Sequence, residues 1–311
     1  MEKKIKTLRL VRYDLPAANT VLTDDDVMER LVSETDYEAR WGKVTRERQY
    51  DSDGLLEQET EYAYNNDGFL IREVIREADG EVMTENSWEY EEGGRILKEY
   101  HHYADGSKDT IHHIYDADKR LVKKITEDAD GEVEQVELFD YTDGFLTGES
   151  VYEEPVDPEQ PAAEELVSEK VFVYDGDGRL LETLDRDLVN EVERRRVNEY
   201  DEETGHRTGV MVYNERGDAI ERIQLLPDEE GRPLEVVEET RQKKNTIKMH
   251  YNEQGMVHRQ EEYDMKGKLV SKVDRVYDDY GHLLESRVLV NMPGFDVERH
   301  YVVRQEYSFY S

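Results

Sequence analysis

A chain of 311 residues can form one large domain or two of average size, and its 41 basic against 76 acidic residues leave a formal charge of −35. That charge repels nucleic-acid phosphates and anionic lipid headgroups, so neither nucleic acid nor a membrane surface is expected as a direct partner. The lack of cysteine excludes disulfides and thiolate chemistry, and 36% hydrophobic against 38% charged residues predict a thin core.

Residues 1–45 read as a small N-terminal cap with a first strand. Met1 to Lys4 lead into Ile5, Leu8, Leu10 and Val11 without the uninterrupted apolar run of a secretion signal. No segment has the length of a transmembrane helix, so a soluble, cytoplasmic protein is expected. In Thr23 to Ser33, the helical spacing of Val27, Met28, Leu31 and Val32 predicts a short helix or plug over the first strand's open edge.

Residues 46–311 carry a repeat. Tyr, then Asp or Asn, then Gly four residues after the Tyr recurs at Tyr50–Gly54, Tyr64–Gly68, Tyr174–Gly178, Tyr213–Gly217, Tyr251–Gly255, Tyr263–Gly267 and Tyr277–Gly281; Tyr90–Gly94 has Glu after the Tyr. Each unit reads as a hairpin turn: Tyr closes a strand, Asp or Asn bonds the backbone, Gly supplies positive φ and an aliphatic residue opens the next strand. Shorter versions, Ala78-Asp79-Gly80, Ala104-Asp105-Gly106 and Ala129-Asp130-Gly131, predict two-residue loops. Tyr115 to Lys119 is a unit whose glycine is replaced, and the series runs on to Gly294. Most steps are 12 to 14 residues, so long and short turns are expected to alternate between opposite edges of the sheet. The fold class is all-β: a long antiparallel meander of about 20 short strands, curved or spiralling. Closure into a wide barrel is the alternative that would remove both edges. Residues 153–168 hold three of the seven prolines and predict an extended acidic loop at one edge.

Histidine concentrates in one hairpin, with His101 and His102 before Asp105-Gly106 and His112 and His113 after it. A two-residue loop there pairs 101 with 110 and 99 with 112, placing Glu99, His101 and His112 on one face as zinc-type ligands; titrating surface histidines are the plainer reading. The Asp-rich turns at Asp51–Gly54 and Asp175–Gly178 hold calcium-type oxygens but lack the distal glutamate of a calcium loop, and turn chemistry accounts for them. Trp88, Tyr100 and Tyr103 are candidate partner-binding aromatics on an exposed sheet. No nucleophile elbow, phosphate-cradling loop or dinucleotide fingerprint occurs, so no cofactor and no enzyme activity is expected.

The turn units resemble the YD repeat of RHS-type proteins, and Tyr174-Asp-Gly-Asp-Gly178-Arg-Leu180 matches its Tyr-Asp-x-x-Gly-Arg-Leu pattern best. The resemblance covers most of residues 45–290 and implies a curved β-sheet. This chain is much shorter than the toxin-enclosing members of that family, so enclosure is not carried over. The function expected is a non-catalytic binding or scaffold protein presenting an elongated acidic sheet to a basic protein partner. The alternatives are a carbohydrate-binding or cell-surface module, and a metalloprotein or enzyme centred on residues 99–113.

Overall fold

The computed structural model describes residues 4–15, 28–291 and 298–311. Those residues form 22 antiparallel strands: β1 Ile5–Leu15, β2 Met28–Tyr37, β3 Val44–Tyr50, β4 Leu56–Tyr64, β5 Leu70–Glu77, β6 Val82–Tyr90, β7 Ile96–His102, β8 Lys108–Tyr115, β9 Leu121–Glu127, β10 Val133–Thr142 and β11 Phe145–Glu153. The second half adds β12 Leu166–Tyr174, β13 Leu180–Asp187, β14 Val192–Tyr200, β15 Arg207–Asn214, β16 Ala219–Pro227, β17 Pro233–Thr240, β18 Lys244–Tyr251, β19 Val257–Tyr263, β20 Leu269–Tyr277, β21 Leu283–Asn291 and β22 Glu298–Phe309. Among the described residues the only helical element is a three-residue 3₁₀ turn, Ala163–Glu165. Two compact units divide the chain, one of residues 1–63, 74–83 and 225–311, the other of residues 64–73 and 84–224.

The first and last strands meet. β1 pairs with β2 on one side and with β22 on the other, Leu8 opposite Tyr307 and Arg12 opposite Val303. The sheet therefore has the closed topology of a β-barrel, and the open curved or spiralling meander is corrected: pairing between its ends satisfies the backbone groups an open edge would leave free. The plug helix is corrected as well. Residues 16–27, including Val27, lie outside the described residues, and from Met28 onward the segment is strand β2. There Leu31 faces Val11 and Ser33 faces Leu10, so Val32 is the extra residue of a bulge. Residues 5–15 and 28–37 are ladder strands.

Long and short turns turn out to be one kind. In the Tyr50 unit, Gly54 donates its N–H to Asp51 O at 3.2 Å and Asp51 to Leu55 O at 2.9 Å; in the short turn Gly80 donates to Glu77 O and Glu77 to Glu81 O, both at 2.9 Å. Each is a three-residue loop ending in a left-handed residue. The short turns are thus one residue longer than expected. Asp143-Gly144, with φ of 52° and 87° between paired Thr142 and Phe145, is a two-residue loop. Gly294 lies outside the described residues.

The interior is thin, as the composition requires: Val11, Val74, Val136 and Val212 are the buried hydrophobic residues among those described. Cross-strand polar pairs supplement it. In the first unit one row of ion pairs runs from Glu306 to Arg9 (3.4 Å), Arg9 to Glu34 (3.2 Å), Glu34 to Arg48 (2.9 Å), and through Glu59 (3.8 Å) and Glu61 (3.4 Å) bonded to Arg46. Single exposed pairs contribute little, but here Arg9, Glu34 and Arg48 each have partners on both neighbouring strands. In the second unit the Pro-rich loop is ordered by Glu165, whose carboxylate accepts from Val156 N at 3.0 Å and Ala162 N at 2.7 Å. Glu159 of that loop meets the largely buried Lys123 at 3.1 Å.

Candidate functional site

The histidine hairpin belongs to the second unit, and its turn sets everything that follows. Gly106 donates to Tyr103 O at 3.0 Å and Tyr103 to Ser107 O at 2.9 Å, enclosing the three residues Ala104, Asp105 and Gly106. The ladder accordingly pairs Glu99 with Ile111, His101 with Asp109 and Lys98 with His112. A shift of one residue exchanges the faces of a strand. His112 is therefore on the face opposite Glu99 and His101, and the expected trio is corrected: His112 Nε2 instead lies 3.0 Å from Glu127.

His113 takes the vacated position. Its Nε2 lies 3.7 Å from one Glu99 oxygen while His101 Nε2 lies 3.2 Å from the other. The His113 side chain is 7% exposed and its Nε2 has no hydrogen-bond partner within ordinary distance. Interaction with His113 first, then with His101, holds the Glu99 carboxyl down at about 2 against the opposing effect of burial. The signal that could have revealed His113 is the spacing itself, since Glu99 and His113 share a face under any three-residue loop. Among the described residues no group of three His, Cys, Asp or Glu side chains is arranged to hold a metal ion. The cluster is chemically an anion held between two imidazoles.

The aromatic candidates separate. Trp88 pairs with Glu99 and shares its face, whereas Tyr100 pairs with Ser87 on the other. Tyr100 donates to Glu89 at 2.8 Å and lies under the Lys108 ammonium, 3.8 Å from the ring centre. Tyr103 is exposed beside the turn and donates to Asp109. Burial foremost raises the Tyr100 hydroxyl above its ordinary value; for Tyr103 the bond to Asp109 is the foremost cause. The three do not form one row. The calcium-type turns are likewise internally occupied: Asp51 Oδ1 accepts from Asp53 N and Leu55 N, and Asp175 accepts from Asp177 N, Arg179 N and Arg179 Nε.

What sequence reading missed is a stitch between successive turns. Tyr200, closing β14, donates its hydroxyl to Leu180 O at the start of β13, 2.9 Å away, and Arg179 lies over its ring at 5.4 Å. Tyr90, Tyr115, Tyr251, Tyr277 and Tyr307 bond the first carbonyl of the preceding strand (Pro233 for Tyr251) in the same way, at 2.7–3.0 Å. The side chain after the turn glycine stacks on the next tyrosine: Phe69 on Tyr90, Arg95 on Tyr115, Phe145 on Tyr174 and Arg232 on Tyr251. These contacts give every conspicuous residue of the Tyr-Asp-x-x-Gly-Arg pattern a structural duty.

Fold and turns together define a closed antiparallel β-repeat protein. No family model matches the chain, and no curated protein matches it. Among solved structures, the crystal structure of TcdB2-TccC3-Cdc42 is similar over 92% of this chain at 10% identity and a TM-score of 0.36, and this chain spans 19% of that one's length. A porin-like protein from Bacteroides uniformis is similar over 99% of this chain and 98% of its own at 9% identity and a TM-score of 0.28.

Proposed function

We propose that this protein is a non-catalytic cytoplasmic binding or scaffold protein whose acidic β-surface engages a basic protein partner. The observation that supports the reading is how its own cations are spent. Arg9, Arg46, Arg48, Arg179, Arg186, Arg195, Arg232 and Arg259 are each already paired with carboxylates of the same chain. With 76 acidic residues against 41 basic ones the chain keeps a formal charge of −35, and the turn residues Asp53, Asp67, Asp79 and Asp130 are among its exposed carboxylates. Surface charge of one sign steers and selects partners of the other.

Capture of the tagged full chain from its native cells, at low and at moderate salt, tests the reading. The expected result is one stoichiometric basic protein at low salt that is lost as salt screens the surface. Capture of nothing above background at either salt removes it.

A further inference from the structure

The stitched turns show where a guanidinium rests on this acidic, tyrosine-rich surface: over the ring of the next turn's tyrosine, as Arg95 does at 5.1 Å from Tyr115, Arg179 at 5.4 Å from Tyr200 and Arg232 at 4.8 Å from Tyr251. The turn between β20 and β21, in the first unit, departs from this pattern. His282 stands in the arginine's place, its ring 5.1 Å from that of Tyr307 and its Nδ1 2.8 Å from Asp278. Two further rings gather around it, Tyr280 at 6.3 Å and Phe309 at 6.1 Å. Tyr280 occupies the loop position held by Asp53, Asp67, Asp118 and Asp177 in the corresponding turns, and it is 76% exposed. Phe309 is 38% exposed, and Tyr307 and Phe309 lie stacked 6.3 Å apart. Among the described residues no cation lies over Tyr280 or Phe309. The exposed carboxylate of Asp279 is adjacent in the chain.

We infer that Tyr280, His282 and Phe309, flanked by Asp279, form a docking platform for an arginine side chain of the basic partner. The inference rests on the acidic-surface reading above and names the place on that surface where the partner is anchored. Charge complementarity selects a cation. The flat aromatic faces select arginine over lysine, because a guanidinium is planar, weakly hydrated and able to stack while its fork reaches a carboxylate. The chain's own Arg-on-Tyr contacts demonstrate the geometry that an incoming arginine would reproduce.

The test titrates the full chain with two fluorescent peptides, one carrying four arginines spaced by glycine and serine, the other its lysine twin. The arginine peptide is expected to bind more tightly, and Tyr280→Leu and Phe309→Leu are each expected to weaken it about 2- to 5-fold while leaving the lysine peptide nearly unaffected. Both positions are at the surface, and unchanged circular dichroism verifies the fold of the variants. Neutralising carboxylates of other turns with Asp53→Asn and Asp67→Asn should weaken both peptides alike. Equal binding of the two peptides, or an arginine preference that survives both leucine changes, overturns the platform but leaves the acidic-surface reading standing wherever binding is salt-sensitive. Absence of binding by either peptide at low salt overturns both. A neutral oligosaccharide whose binding is lost in Tyr280→Leu, with no arginine preference, overturns the platform in favour of a glycan.

Discussion

The turns that follow even-numbered strands and those that follow odd-numbered strands share the three-residue loop in most of their units but not one chemistry. After β6, β8, β14, β18 and β20, a tyrosine hydroxyl reaches back to the strand before it. The odd-numbered turns contain the same Tyr-to-Gly units at Tyr50, Tyr213 and Tyr263, and they include the acidic loop after β11, the turn at 188–191 after β13 and the turn at 241–243 after β17; the even-numbered set varies less, with four-residue loops after β2 and β14 and a two-residue loop after β10. A three-residue loop alone reverses the chain; linking consecutive loops adds the tyrosine and the side chain that stacks on its ring. The linkage itself admits one extra residue, since the stitched turn after β14 is a four-residue loop in which Gly205 donates to Asp201 O and Asp201 to His206 O, both at 2.9 Å.

The widest separation between the two sets should come from glycine. Gly94 and Gly106 have nearly the same φ, 87° and 88°, so an added Cβ carries the same left-handed strain, about 1 kcal/mol or somewhat more. At Gly106 that Cβ meets nothing within 4 Å, whereas at Gly94 it would collide with Phe69 Cζ and displace the ring from Tyr90. Gly94→Ala is expected to cost about 2–3 kcal/mol and Gly106→Ala about 1 kcal/mol by urea unfolding. Equal costs would mean that the stitch adds nothing.

A smaller effect isolates the hydroxyl. Tyr200→Phe keeps the ring under Arg179 but removes the bond to Leu180 O, for an expected loss of about 1 kcal/mol. Tyr213→Phe, in a turn after an odd-numbered strand, should cost less than about 0.5 kcal/mol. If the two changes cost the same, tyrosine is acting through packing alone.

The pH dependence sharpens the comparison further. Burial, foremost, raises the hydroxyls of the stitching residues Tyr90, Tyr115, Tyr251 and Tyr307. A raised folded-state value stabilises below the ordinary tyrosine range near 10, and that contribution is lost as pH rises through the folded value. Replacing these four with Phe should flatten the alkaline limb of the stability curve. Glu99, in the hairpin closed by an odd-numbered turn, acts in the opposite sense. Lowered from 4.5 to about 2, its contribution is present above the ordinary value and is lost as pH falls towards 2, so Glu99→Gln should flatten the acid limb. Unchanged limbs in urea titrations across pH would remove these assignments.

The repeat was legible because turn chemistry is local: Asp or Asn at the loop entrance and Gly at its exit sit within four residues and fix each other's role. The register of the histidine hairpin was not, because Ala104-Asp105-Gly106 reads equally well as a two- or three-residue loop, and one residue decides whether His112 or His113 joins Glu99. The stitch was half legible. Tyrosine and arginine recur at constant positions, but their contact is between turns, where spacing alone gives no distance. Strand β2 was misread as helix because Met28, Leu31 and Val32 suit a helical stripe as well as a bulged strand, and the deciding partner, β1, comes from pairing. Closure stood only as the alternative for the same reason: alternating patterns in β1 and β22 state that each has a face, not that they are neighbours.

That seam has a consequence for how the chain reaches its native state. The other pairings described join consecutive strands, and each can form as soon as its short loop closes. The ion pair of Arg9 with Glu306 instead joins residues 297 apart. Loop closure at that separation carries about 3 kcal/mol more entropic cost than closing a hairpin of about 14 residues. Contacts of such high order form late and limit folding rate. The β1–β22 ladder should therefore zip last during refolding, and in native-state hydrogen exchange its amides should open together, ahead of the hairpins on either side.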